Sequence, residues 1–236
     1  MNQYGSGYSP SQLGVRPAVA LSTALLSQAF LWMFLGLLVT TAVGWAVSQM
    51  SETQLVKLSG LFLPVVLVQF GIAMGLGFAI RRIPAMVGLG LFFVYAAITG
   101  ITLGFMLLIY TTASVAAAGL SAASVFGGAA FYGAVTKRDL TSIGAYLFMA
   151  LVGIVIASFV NILLLHSSTM SLLVSYAAVV IFTGLTAYHV QRIQRGDIAA
   201  WAGTMEKGAV MGAFLMYLDF INLFFALLRI MGSSRR

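Results

Sequence analysis

The chain contains no cysteine, which removes disulfides, thiolate catalysis and cysteine-ligated metals from consideration. Charge is nearly as scarce: Asp, Glu, Lys and Arg make up 7% of its 236 residues, against about 25% in soluble globular proteins. The phosphate loop GxxxxGK[S/T], the zinc signature HExxH and the nucleophile elbow GxSxG are all missing. The first twenty residues, MNQYGSGYSPSQLGVRPAVA, lack the basic start, short apolar core and small-residue cleavage site of a signal peptide. Residues 1–20 therefore read as a flexible tail ahead of an uncleaved first span.

What is present is apolar surface. Hydrophobic residues make up 61% of the chain, mean hydropathy is +1.05 and there are 25 glycines, the composition of a polytopic membrane protein. A bilayer-crossing helix needs about 20 apolar residues. Seven stretches supply them, at roughly 22–48, 58–80, 85–110, 113–135, 141–165, 171–190 and 208–231. The fold class is all-α, with one transmembrane domain over 21–233 and a short basic tail at 234–236. Arg81, Arg82 and Pro84 separate the second and third spans, and TKRDL (Thr136–Leu140) separates the fourth and fifth. The uncharged TTAS (Thr111–Ser114) reads as a tight turn at the membrane surface, and QRIQRGDIAAWAGTMEK is a longer link before the last span. TGIT (Thr99–Thr102) is a candidate break within the third. The GxxxG pairs Gly71/Gly75, Gly100/Gly104 and Gly208/Gly212 predict close helix packing.

The net charge of +7 does not point to nucleic acid, because the basic residues are scattered between apolar runs. They fit loop charges that orient a membrane protein. With the N-terminus inside, Arg16, Arg81, Arg82, Lys137, Arg138, Arg192, Arg195 and Lys207 fall on the inner side, and Lys57, Arg229, Arg235 and Arg236 on the outer. This bias predicts a cytoplasmic N-terminus and an external C-terminus. The basic C-terminus opposes it and leaves a second arrangement open, in which the last span is a re-entrant hairpin.

Asp219, in YLDFINLF, sits near the middle of the last span. A carboxylate there is costly unless a proton, a cation or an ion neutralises it. Asn222 is one turn further on and can share its face. His189 lies near the inner end of the sixth span, and Arg81 and Arg82 at that of the second. Asn161, in the fifth, reads as an interhelical hydrogen-bonding residue. A retinal protein would need a lysine inside the last span, and an intramembrane aspartyl protease a second buried carboxylate. Neither is present, so no enzymatic activity and no cofactor are expected.

The segments GLTAYHVQRIQ, YLDFINLFFALLRIMG, TGITLGFMLLIYTTAS and TKRDL resemble the Bax inhibitor-1 family, most closely its bacterial inner-membrane branch, over residues 20–233 or so. The resemblance implies six helices, as three antiparallel pairs, around a central seventh. It implies a pH-governed calcium leak, with Asp219 as the central acid and candidate calcium ligand. It also implies a second carboxylate at the end of the sixth span, and an arginine from the second, here Arg81 or Arg82, able to engage this latch. Where the family reads Tyr-Asp, this chain reads Tyr188-His189. The leading expectation is a pH-responsive ion leak in the bacterial inner membrane, with protons or calcium as its ions. The alternative is a non-conducting regulator that binds a membrane protease or another membrane partner.

Overall fold

The structure is a computed structural model that describes residues 19–60 and 62–233. Arg16 and most of the expected N-terminal tail, and the basic residues 234–236, lie outside the described residues. Every regular element among the described residues is helical. The order is α1 (Val19–Ser48), α2 (Glu52–Ser59), α3 (Phe62–Ala79), α4 (Ala85–Ile109), α5 (Thr112–Val135), α6 (Thr141–Val160), a π-helical turn (Asn161–Leu165), α7 (Ser168–Gln194), α8 (Asp197–Ala202) and α9 (Met205–Met231). Six helices are long and apolar enough to cross a membrane, and seven crossings result if α2 and α3, bent by 56° at their junction, count as one. The protein is thus a multi-pass membrane protein. α3 alone has 18 residues, about 27 Å of helix, slightly short of the roughly 30 Å hydrocarbon core.

Side-chain register gives the helix directions. Gly36 meets Phe92, Thr40 bonds the carbonyl of Ala96, and Gly104 meets Val47. Positions rise together, so α1 and α4 are parallel. Ala29 against Gly212 and Thr40 against Tyr217 make α1 and α9 parallel as well. Ile80 faces Gly88 while Gln69 bonds Thr99, so α3 opposes α4. Phe126 packs on Phe220 and Gly119 on Phe224, so α5 opposes α9. In the same way α7 opposes α9, and α6 opposes α7 through Gly144 on Tyr188 and Asn161 on Ser171. The seven long helices therefore alternate in direction along the chain.

α9 is the core element. Fifteen of its 27 residues are buried, whereas α6 buries only Gly144. α1, α4, α5 and α7 supply its principal long-helix neighbours, while α3 packs chiefly on α4 and α6 on α7. The expected arrangement of three antiparallel pairs around a seventh helix is not reproduced: four long helices clasp α9, α3 and α6 stand further out, and α1 packs most extensively on the parallel α4. α9 is continuous, which removes the hairpin alternative for the last span. α4 also runs unbroken through Thr99–Thr102, correcting the expected break there. Thr99 donates to the carbonyl of Tyr95 and accepts from Gln69, so these polar residues tie α4 to α3.

Two of the three GxxxG pairs pack as expected. A Cβ on Gly100 would lie 2.6 Å from Val43 and 2.7 Å from the Thr40 carbonyl, and one on Gly208 2.6 Å from Ala199. Gly71 and Gly75 have open space beside them, because α3 turns that face away from its one close neighbour. Asn161 is buried and closes the α6–α7 turn: it donates to the Ser167 carbonyl and to Ser171 Oγ, and accepts from the Ser167 amide. The turn at Thr111 is as tight as expected, the Thr111 hydroxyl accepting from the Ser114 amide.

One end of the bundle gathers the α3–α4 link, the α5–α6 link and α8. Lys207 Nζ donates to the Arg81 carbonyl at 3.0 Å, and Arg195 pairs with Asp139 at 2.8 Å. The C-terminal end of α9 lies at the opposite, far end, where the Thr111 amide donates to the Ser233 carbonyl and the Ser233 amide to Ser114 Oγ.

Candidate functional site

A carboxylate inside an apolar bundle requires a partner, and α7 provides one. His189 Nδ1 lies 2.7 Å from Asp219 Oδ2, with 12% and 2% of the two side chains exposed. Asp219 is fourteen residues into α9, about 21 Å along its axis, whereas His189 is five residues from the end of α7, about 8 Å. On a common membrane level those depths would not meet. They meet because α9 starts below the end of α7. Its first turns pack on α8, with Gly208 against Ala199, and Gly212 rather than Met205 stands level with Ile193. α8 hides Ile198, Ala199 and Ala202 in this contact. The segment expected as a plain link therefore sets the register of the pair.

Two charge states suit this geometry. An imidazolium beside a carboxylate is net neutral, and a neutral imidazole donating Nδ1–H to the same carboxylate leaves the pair at −1. One proton at Nε2 separates the two. The pair can therefore change charge without losing its hydrogen bond.

The end of α7 is fixed around this pair. The Tyr188 ring lies tilted at 45° beside His189 with centroids 5.4 Å apart, and the Arg192 guanidinium lies 5.5 Å from the Tyr188 ring centre. Buried Gln191 clamps the α5–α6 link from both sides: its Oε1 accepts from the Leu140 amide at 2.9 Å and its Nε2 donates to the Arg138 carbonyl at 2.7 Å. On the same link, outside the spans, the Thr141 hydroxyl and amide, with Arg195 in addition, lower the pKa of Asp139 to about 2. Sequence reasoning passed over Gln191, although an amide two residues beyond His189 was its visible signal. It also passed over Thr40 and Tyr217, whose hydroxyls meet at 2.6 Å and tie α1 to α9.

The remaining candidates lie elsewhere. Arg81 and Arg82 are exposed in the α3–α4 link, and among the described residues Asp219 has His189 as its side-chain partner and no arginine. Asn222 donates to the Leu218 carbonyl of its own helix at 2.8 Å and borders a separate cavity of about 350 Å³. No cluster of three or more His, Cys, Asp or Glu suited to a metal occurs among the described residues. Calcium takes about six to eight oxygen ligands, so Asp219 with a histidine beside it forms at most part of such a shell.

The family described as "Inhibitor of apoptosis-promoting Bax1" matches residues 22–236. The chain is 40% identical over 230 residues to inner membrane protein YbhL of Escherichia coli strain K12, covering 94% of this chain and 96% of that protein. It is 38% identical over 221 residues to a protein of Borreliella burgdorferi, covering 92% and 95% of the two chains. It is 36% identical over 211 residues to a protein of Deinococcus radiodurans, covering 89% and 90%.

Proposed function

This chain belongs to the Bax inhibitor-1 family of membrane proteins, and on that premise we propose that it is a pH-responsive, channel-like ion leak whose latch is the His189–Asp219 pair. The observation that carries this reading is the 2.7 Å contact joining α7 to the enclosed helix α9. A protonation event at that contact acts on the helix around which the others are packed. The protein works as a conduit and its regulator rather than as an enzyme. It lies in the bacterial inner membrane, the location in the name of its Escherichia coli relative, with its N-terminus in the cytoplasm as the charge bias favours.

The histidine changes what the latch does. Two carboxylates in contact cannot both ionise easily, so such a pair carries about −1 near neutral pH. The His–Asp pair is neutral while the imidazolium persists and reaches −1 only when His189 loses its proton. An imidazole is also a poor ligand for a hard cation that prefers oxygen. The latch therefore answers to protons, and calcium passes weakly.

Purified protein in liposomes, with calcium and potassium flux followed between about pH 5 and 8, tests this directly. A pH-dependent flux is expected, and Asp219→Asn should flatten its pH profile because the amide cannot ionise. The substituted protein should lose about 1–3 kcal/mol of stability in thermal unfolding, as a buried hydrogen bond is weakened. An unaltered pH profile would remove Asp219 from the mechanism. Absence of flux at every pH would favour instead a non-conducting regulator of a membrane partner such as a protease.

A further inference from the structure

The far end of the bundle holds a cavity of about 350 Å³ between α4, α6, α7 and α9, within the roughly 300–1,000 Å³ of small-molecule sites. It exists because α6 leans on α7 and leaves a gap towards α4. Its lining runs along α9 from half-buried Asn222 to exposed Arg229, seven residues or about 10 Å, so that we take the Arg229 end as its mouth. The lining is mainly apolar; three of its polar side chains donate within their own helices, while Thr102 Oγ1 and Asn222 Oδ1 have no hydrogen-bond partner among the described residues. Ser158 donates to the Ile154 carbonyl, Ser175 to that of Ser171, and Asn222 to that of Leu218.

The mouth differs. The Arg229 guanidinium is exposed without an ion-pair partner among the described residues, and the Tyr110 hydroxyl has no hydrogen bond there. Both groups donate, and both line the cavity. The chain end is held beside them, since Gly232 packs on the Tyr110 ring and Ser233 is bonded to Thr111 and Ser114. A free guanidinium and a free phenol on a mainly apolar groove between membrane helices fit an anionic head on an apolar chain.

We propose that this cavity is a binding site for an anionic phospholipid, with the phosphate at Arg229 and Tyr110 and one acyl chain running between α4 and α6 towards Asn222. The site is on the opposite half of the bundle from α8 and does not depend on the His189–Asp219 latch. A bound lipid would bridge α6, otherwise held chiefly by α7, to α4 and α9.

The test is native mass spectrometry of the full chain released from micelles containing equal phosphatidylglycerol and phosphatidylcholine. One phosphatidylglycerol should be retained per chain. Arg229→Gln should weaken its retention about fivefold, the effect of one cation near a headgroup. Lys57→Gln, which removes an exposed cation of α2 at the same end, should leave it unchanged. Leu151→Trp, which fills the groove from α6, should abolish retention with the arginine intact. If that variant fails to fold, Arg229→Gln and Tyr110→Phe carry the test. Equal retention of phosphatidylcholine, no effect of Arg229→Gln, or displacement of the lipid by inorganic phosphate would each overturn the proposal.

Discussion

Asp219 and His189 show what a single residue reveals before folding. A carboxylate in the middle of an apolar run announces that it needs a partner, because the cost of burying it is set by its own chemistry. The identity of the partner follows from helix register, which no local pattern encodes. Arg81 and Arg82 were the stronger cations, yet both remain exposed while the weaker base occupies the contact. If the histidine sets ion preference, His189→Asp should raise calcium flux in liposomes and move its pH midpoint, since the second oxygen ligand is then supplied. A strong calcium leak in the parent that His189→Asp leaves unchanged would show that this position does not govern the path.

At the scale of the helices, apolar length was the reliable signal and glycine spacing an incomplete one. All three GxxxG pairs look alike in sequence, but a glycine pair matters only where another backbone occupies the space it leaves. Gly100→Leu should therefore cost about 1–3 kcal/mol by forcing α1 away from α4, while Gly71→Ala should leave thermal unfolding in detergent unchanged. The ends of α7 and α9 were underestimated because amphipathic ends continue past the apolar window. That extension carries Gln191 to the α5–α6 link. Gln191→Leu strands the Leu140 amide and the Arg138 carbonyl, at a cost of about 1–3 kcal/mol. Hydrogen exchange should report it as faster loss of protection at Leu140.

For the whole molecule, the charge count anticipated that the α3–α4, α5–α6 and α7–α9 links share one end, which their mutual bonds bear out. Which end faces the cytoplasm is a matter for reporters. A fusion after Arg236 should behave as periplasmic and one within the α8–α9 link at Gly203 as cytoplasmic. Both reporting the same side would mean that α9 does not cross. The uneven clasp was not legible, since α3 and α6 are as apolar as the helices that touch α9. Lipid and protein interiors make similar demands on side chains, so composition does not separate the two.

The position of α9 in the chain has a consequence for biogenesis. Membrane chains are made from the N-terminus onward, so the helix that fills the centre leaves the ribosome after the four that clasp it. Until then the faces of α1, α4, α5 and α7 that will clasp it enclose nothing of their own, and Thr40 and His189 wait for Tyr217 and Asp219. Assembly of the centre must therefore wait for α9, which enters a shaft already bounded by earlier helices. A transcript cut short before Met205 would yield six inserted helices with an unfilled centre, a species for cellular proteases to clear.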